Sequence, residues 1–230
     1  MAKLNVDLAR RAEIAAKRRS NTRARLLDAA RSLFGREGGR VTRVEDICEA
    51  AGIARGTFYN YFPSFDTLQA ALFEELSNRF DLAVHLAFEQ MEGPAERTCA
   101  AIRFYLTHVV EDREWGWGMV NTGMGIGFFP VSVSERVAET IQEGIDAGDF
   151  TISNAIAGRD ILLGAGLAAA TTLLNSKAAP DHIASVASGV LQALGLPAVR
   201  ARQLASEVIP ELPYREGPTD DARQPGVAPL

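Results

Sequence analysis

The sequence is poor in the features that mark secreted and membrane proteins. Its 230 residues include only two cysteines, Cys48 and Cys99, which are too few for a disulfide framework and favour a reducing compartment. The first 25 residues are highly charged and contain no apolar central run, so no secretory signal is expected. The longest apolar stretch, residues 161–174, is interrupted by glycines and threonines and is shorter than the roughly 18 to 20 residues of a membrane span. These absences favour a cytoplasmic protein with no membrane partner.

Signatures of catalysis are missing as well. The sequence contains no nucleophile elbow, no phosphate-binding loop and no dinucleotide fingerprint. The three histidines are scattered, and His108 and Glu111 on one helical face lack the further ligands that a metal site needs. We therefore expect neither an enzyme nor a bound cofactor or metal.

The charge is distributed unevenly along the chain. Residues 1–63 contain 13 Lys and Arg against 7 Asp and Glu, whereas residues 64–230 contain 11 against 22. A basic N-terminal part attached to an acidic remainder indicates that only the N-terminal part meets a polyanion. An ordinary solvated basic tail would show the same composition.

Almost the whole chain has the periodicity of helices, and no segment holds the alternation of a half-buried strand. The expected fold is all-α, with an N-terminal three-helix helix-turn-helix domain and a C-terminal helical domain for ligand binding and dimerisation. The predicted divisions are a basic arm (1–20), a DNA-binding domain (21–66), an effector-binding and dimerisation domain (67–210) and a disordered, proline-rich tail (211–230).

Residues 42–62 have the pattern of two short helices joined by a tight turn. Thr42 and Glu45 are spaced as a capping box at the start of the first helix. Gly52 supplies the turn, and Phe58 and Phe62 form the inner face of the second helix. In a helix-turn-helix, the second helix enters the major groove of DNA.

The outward face of the second helix is unusual for a solvated surface, because it has no acidic residue. Arg and Asn side chains can read guanine and adenine, and Thr can contact a thymine methyl group or a phosphate. Tyrosine hydroxyls are good phosphate donors, although tyrosines at these positions could instead pack on a neighbouring helix. The outward residues are Arg55, Gly56, Thr57, Tyr59, Asn60 and Tyr61.

The run AGIARGTFYNYF, followed by Asp66 and Leu68, resembles the tetracycline-repressor (TetR) family of bacterial regulators. The resemblance covers residues 21–68, and phrases at 143–150 and 191–205 are similar to C-terminal helices of such regulators. It implies an all-helical homodimer of nine or ten helices that leaves operator DNA when a small molecule binds.

The resemblance also implies roles for single residues. Thr42 and Arg43 are expected to contact phosphates, and Tyr59 and Tyr61 to reach the DNA backbone. Base edges are expected to face Arg55, Gly56, Thr57 and Asn60. The chain departs from the family at Ala54, where a Ser or Thr cap is usual, and at Phe65, where a Lys is frequent.

An aromatic-rich segment in the C-terminal part is the predicted effector pocket. It contains both tryptophans and several glycines, and apolar walls with few polar groups are typical of small-molecule sites. His108 and Asn121 are the candidate polar anchors, although each residue could simply fill the core. The candidates are Phe104, Tyr105, His108, Trp115, Trp117, Met119, Asn121, Met124 and Phe128.

The predicted function is therefore a homodimeric repressor released from a palindromic, double-stranded operator by a largely apolar or aromatic molecule. Small residues in the helices at 154–175 and 181–195 favour close helix packing between two copies, although the same helices could form the core of a monomer. Two other functions remain open. One is an activator or architectural DNA-binding protein without an effector, and the other is a helical enzyme or carrier with a vestigial head.

Overall fold

Every regular element in the computed structural model, which describes residues 2–123, 129 and 131–212, is helical. Ten α-helices and a 3-10 turn at Gly39–Val41 account for these elements, and no strand occurs in the described part of the chain, so the all-α prediction is confirmed. The helices are α1 (Ala2–Phe34), α2 (Val44–Ala51), α3 (Arg55–Phe58), α4 (Phe65–Phe88), α5 (Pro94–Glu111), α6 (Arg113–Gly123), α7 (Val131–Asp146), α8 (Ala155–Leu174), α9 (His182–Ala193) and α10 (Ala198–Ser206).

The first helix is much longer than the sequence pattern predicted. It begins at Ala2, whereas the apolar stripe predicted a start at residue 21, so the basic arm (1–20) continues α1. Residues 2–20 contain no Gly or Pro and are rich in Ala, Leu, Lys and Arg, which favour helix. The periodicity missed this part because the described side chains between Arg10 and Ser20 are exposed and form no buried apolar stripe.

The helix-turn-helix packs around a small aromatic and aliphatic core. Leu26 and Phe34 of α1, Ile47 of α2 and Phe58 of α3 are completely buried, and Phe62 is 3% exposed. Burial of such side chains contributes about 1.5–3 kcal/mol each, so these contacts hold the short α3 in place. A helix of four residues would not be stable without them.

The cap of α2 differs from the predicted one by a single residue. Arg43, and not Thr42, is the N-cap, and its backbone N–H donates to the Asp46 carboxylate at 2.7 Å. Thr42 instead ends the 3-10 turn, where its N–H donates to the carbonyl of Gly39 and its side chain is largely buried. The predicted box of Thr42 with Glu45 is therefore wrong.

Helix α4 connects the head to the rest of the chain. Its N-terminus is capped by Ser64, whose hydroxyl oxygen accepts from the backbone N–H of Thr67 at 3.2 Å. Phe65 in its first turn packs on Phe34 of α1, with ring centroids 6.0 Å apart. At the position where the family often has Lys, this chain therefore has a half-buried aromatic residue that packs against the core.

Helices α5, α7, α8, α9 and α10 pack on one another to form the C-terminal body. Among them α8 is long and apolar enough, by length and composition alone, to cross a membrane, and only 28% of its most apolar window is buried within the chain. Its exposed residues include Ala157, Ile161, Gly164 and Ala168, which recur at helical spacing. Helix α8 thus presents an apolar face that a single copy of the chain leaves uncovered.

We predict that Gly52→Ala destabilises the protein by about 1 kcal/mol. Gly52 forms the turn of the helix-turn-helix with φ 63° and ψ 42°, a left-handed conformation in which a Cβ is strained. Urea denaturation at one fixed protein concentration measures the change.

Gly56→Ala is the matched control. An added Cβ at Gly56 meets no atom within 4 Å, and the residue lies in the helical α3. This variant should be as stable as the wild type or more stable. Equal losses for the two variants would contradict the assignment of strain to Gly52.

Candidate DNA-binding face and effector cavity

The predicted DNA-reading residues lie together on the surface of the head. Arg55, Gly56, Tyr59 and Asn60 are exposed, and Thr57 and Tyr61 are half-buried. Helix α3 ends at Phe58, so Tyr59, Asn60 and Tyr61 lie in the turn that follows it. The N-cap position of α3 is Ala54, whose side chain forms no cap hydrogen bond, in agreement with the departure noted in the sequence.

Arg55 is held in position before any DNA arrives. Its guanidinium forms an ion pair with Glu45 of α2 at 2.8 Å. A hydrogen bond with the Tyr59 side chain, followed by the charge of Glu45, raises the pKa of Arg55 above its ordinary value. The guanidinium is exposed, so this arrangement orients it and adds little stability.

The long α1 brings further cations to this face. The guanidinium of Arg19 lies over the ring of Tyr61 at 5.9 Å, and that of Arg23 lies over the ring of Phe62 at 5.4 Å. Arg25 donates to the carbonyl of Ala51 at 2.5 Å and so ties α1 to the helix-turn-helix turn. The end of the basic extension, at Arg19, therefore lies beside the turn that follows α3.

A cavity of about 470 Å³ lies inside the C-terminal body, between α4, α5, α6, α7 and α8. Its volume falls in the range of about 300–1,000 Å³ that is usual for small-molecule sites. Most of its wall is aliphatic or aromatic. The apolar lining residues are Phe73, Phe80, Val84, Phe88, Ala101, Ile102, Met119, Phe129, Val133, Val137, Ile141, Leu162, Leu163 and Gly166, together with the ring of Tyr105.

The structure brings only two of the predicted pocket residues, Tyr105 and Met119, to this cavity. Three others are buried behind its wall: Phe104 in the core, and His108 and Trp115 against Phe80, with ring centroids at 5.7 and 5.2 Å. Trp117 is half-buried against the core. Met124 and Phe128 lie outside the described residues. The prediction followed one aromatic-rich segment, whereas the cavity collects side chains from five helices that are distant in sequence.

Asn121 is not a polar anchor of the cavity. Its side-chain amide donates to the carbonyls of Phe34 at 2.8 Å and Arg36 at 3.0 Å. These carbonyls lie at the C-terminal end of α1, where helix carbonyls lack partners within the helix. Asn121 thus joins α6, which also contributes Met119 to the cavity, to the DNA-binding head.

Charged residues surround the cavity in pairs that involve α7. Arg136 of α7 binds Asp81 of α4 at 2.5 Å, and Glu143 of α7 binds Arg97 of α5 at 2.9 Å. Burial raises the pKa of Asp81 above its ordinary value, and the charge of Arg136 only partly opposes this shift. All four side chains line the cavity and each remains partly exposed.

Neither cysteine has the surroundings of a reactive thiol. Burial raises the pKa of Cys48 and raises that of Cys99 to about 11, so both thiols stay protonated at neutral pH. Within the described residues no cluster of His, Cys, Asp and Glu could hold a metal ion.

An exposed helix-turn-helix joined to a helical body with an internal cavity defines the class of ligand-binding DNA regulators. The chain belongs to the tetracycline-repressor (TetR) family of bacterial regulatory proteins. Residues 26–74 match the N-terminal domain of that family, and residues 93–207 match the tetracyclin repressor-like C-terminal domain.

Relatives in sequence are helix-turn-helix regulators. The HTH-type transcriptional regulator Rv1255c of Mycobacterium tuberculosis is 30% identical over 130 residues, which are 56% of this chain and 61% of that protein. The chain thus matches less than two thirds of that relative's length. The HTH-type transcriptional repressor KstR2 of Rhodococcus jostii is 44% identical over 50 residues, 22% of this chain and 24% of that protein.

Solved structures of regulators share the whole arrangement. The regulator RolR in complex with resorcinol is 29% identical, with a TM-score of 0.65 over 86% of this chain and 99% of that one. FadR of Bacillus subtilis in complex with stearoyl-CoA shares the fold, with a TM-score of 0.55 and 19% sequence identity. The match covers 74% of this chain and 96% of the FadR chain.

We predict that Asn121→Ala lowers the free energy of unfolding by about 1–3 kcal/mol, because it removes the side-chain donor from the buried carbonyl of Phe34 at the end of α1. Thermal and urea denaturation measure the loss.

Asn175→Ala is the control for this substitution. The amide of Asn175 is exposed and donates only to the carbonyl of Thr171 one turn earlier. Its removal should change the stability by no more than about 0.5 kcal/mol. Similar effects of the two substitutions would show that Asn121 does not bridge the head and the body.

Proposed function

We propose that the chain is a cytoplasmic, homodimeric repressor that binds a palindromic operator and leaves it when a small molecule enters the cavity. The observation that carries the proposal is the continuity of two helices between the cavity and the head. Helix α4 lines the cavity with Phe73 and Phe80 and packs Phe65 against α1. Helix α6 contributes Met119 to the cavity and binds the end of α1 through Asn121.

The DNA contacts follow from the exposed face of the head. Arg55 and Asn60 are placed to read base edges, together with Gly56 and Thr57. Tyr59 and Tyr61 are assigned to the sugar-phosphate backbone, as are Thr42 and Arg43 at the start of α2. Thr42 is largely buried, so a phosphate must approach the protein surface more closely to reach Thr42 than to reach the other residues of this set. The basic extension of α1 adds phosphate contacts beside Tyr61, through Arg19.

Release requires that the effector prefers one of two conformations of the dimer. A ligand shifts an equilibrium only by the difference between its affinities for the two states, and the coupling to DNA is reciprocal. A ligand that displaces α4 or α6 would change the position of the head, since both helices contact α1. The resorcinol bound by RolR supports an aromatic effector for a cavity in the same fold.

A second copy of the chain is the proposed cover of the apolar face of α8. Its small exposed residues permit close approach of another helix, and an added Cβ at Gly164 of α8 or Gly189 of α9 would meet no atom within 4 Å. Of the glycines that the sequence suggested for this role, Gly158 and Gly166 face inward, against Leu194 and Tyr105. A two-fold dimer presents two recognition helices to half-sites about 34–36 Å apart.

An activator or architectural protein without an effector is the second candidate. The exposed head would serve such a protein equally well. A cavity of about 470 Å³ with a largely apolar wall favours the ligand-responsive regulator, because such clefts are typical of small-molecule sites.

The experiment that tests DNA reading is selection of bound duplexes from a random pool, followed by titration of variants on the selected operator. Arg55→Ala should reduce the preference for the selected operator over a scrambled duplex by about 1–3 kcal/mol, roughly 5- to 150-fold, because one base contact is lost. Arg202→Ala removes an exposed cation from α10, outside the head, and should leave this ratio unchanged. A preserved preference in Arg55→Ala would remove this residue from the base contacts.

Dimerisation is tested by Gly164→Arg, which places a long charged side chain on the exposed face of α8. We expect sedimentation to show a dimer for the wild type and a monomer for the variant, whose operator affinity should fall at least 10-fold because half-sites are then bound singly. Val199→Arg, on the exposed side of α10, is the control and should remain dimeric. A monomeric wild type at micromolar concentration would refute the proposed assembly.

A further inference from the structure

One wall of the cavity carries two hydroxyl groups that have no hydrogen-bond partner within the described part of the chain. They belong to Thr98 and Tyr105, and neither oxygen is reached by solvent. Both residues line the cavity, together with Ala101 and Ile102. These four positions of α5 have the spacing i, i+3, i+4 and i+7, so they form one stripe along the helix.

An unpaired buried hydroxyl is unfavourable, and native proteins rarely leave one without a reason. The other two hydroxyls of the lining, those of Ser77 and Thr140, are satisfied, because they donate to the carbonyls of Glu74 at 3.3 Å and Arg136 at 3.1 Å. The Tyr105 ring lies between the rings of Phe80 and Trp115, whose centroids are 6.3 and 5.7 Å away. These aromatic rings are weaker hydrogen-bond acceptors than an oxygen atom and do not replace one. Both residues line the cavity, so a molecule bound there can supply the missing partner once the side chains of Thr98 and Tyr105 turn their hydroxyls toward it.

We propose that the effector is an uncharged molecule of two or more rings whose hydroxyl or carbonyl oxygen binds Thr98 and Tyr105. Its apolar body packs between the phenylalanines of the opposite wall, among them Phe73 and Phe129. This inference rests on the proposed function and specifies the effector of the same site.

Three observations support a neutral, multi-ring ligand over an anion or a single-ring phenol. The charged residues that line the cavity include four acidic side chains, Asp81, Glu89, Glu139 and Glu143, against the two guanidinium groups of Arg97 and Arg136. Both guanidinium groups are already paired with carboxylates. A volume of about 470 Å³ exceeds what one ring fills and suits a drug-sized molecule.

The protonation state of Tyr105 matches a neutral oxygen on the ligand. Burial raises the pKa of the Tyr105 phenol well above its ordinary value, so the hydroxyl keeps its proton throughout the physiological range. A protonated phenol donates to a carbonyl oxygen or exchanges hydrogen bonds with a hydroxyl. The Thr98 hydroxyl can do the same.

The test compares three probes with the same two-ring body: 4-phenylphenol, biphenyl and biphenyl-4-carboxylate. Binding is followed by the fluorescence of Trp115, whose ring lies against Tyr105, and by calorimetry. The wild type should bind 4-phenylphenol about 10- to 100-fold more tightly than biphenyl, the change expected for two net hydrogen bonds. The carboxylate should bind most weakly.

Two variants assign the preference to the two hydroxyls. Tyr105→Phe and Thr98→Val should each weaken 4-phenylphenol binding by about 3- to 10-fold and change biphenyl binding by less than about twofold. Thr107→Val, on the exposed side of α5, is the control and should bind all three probes like the wild type. Tyr105→Phe should melt no lower than the wild type, because it removes an unpaired buried hydroxyl.

Equal affinity for 4-phenylphenol and biphenyl, tightest binding of the carboxylate, or no binding of any probe up to about 1 mM would each overturn the inference. Equal weakening of 4-phenylphenol and biphenyl by Tyr105→Phe would overturn it as well. Operator binding is measured on the same samples by mobility shift. If the protein binds its selected operator but does not prefer 4-phenylphenol, the proposed class of effector is refuted and the proposed function is not. If the protein binds no operator, the proposed function itself is refuted.

Discussion

The two hydrogen bonds from Asn121 to the end of α1 are the contact on which the arrangement of head and body depends. Carbonyl groups at a helix C-terminus have no partner inside their own helix, and in a buried place they require a donor from elsewhere. Here α6 supplies that donor to Phe34 and Arg36. The same helix lines the cavity, so this side chain, together with the packing of α4 on α1, links the cavity to the DNA-binding head.

The distribution of apolar and charged groups around the cavity follows from the free-energy cost of removing charges from water. Its interior is aliphatic and aromatic, whereas Asp81, Arg97, Arg136 and Glu143 keep partial exposure and pair across α7. Partly exposed ion pairs contribute only about 0–1 kcal/mol each, so α7 is held mainly by its apolar packing against α5 and α8. Polar groups deeper in the wall have no such access to water, which is why an unpaired hydroxyl there is informative.

The head was predictable because its signals are local. Glycine at the turn and apolar residues at helical spacing determine α2 and α3 within about 20 residues, and Phe58 and Phe62 lie in the core as expected. Two local details still differed: the cap moved from Thr42 to Arg43, and α1 extended to Ala2. The cap moved because a 3-10 turn, which leaves no apolar pattern, occupies Gly39–Val41, and the extension was missed because an exposed helix has no apolar stripe to detect.

The amino-acid sequence by itself determined the all-helical class, the position of the helix-turn-helix and the chemistry of its outward face, since each depends on residues close together in the chain. Only the tertiary structure decided which side chains form the cavity. Phe80, Tyr105, Val137 and Leu162 come from four different helices, and no pattern along one helix records which faces meet. It also decided that Asn121 joins head to body and that Arg19 lies beside Tyr61, because both contacts bring together residues that are distant in sequence.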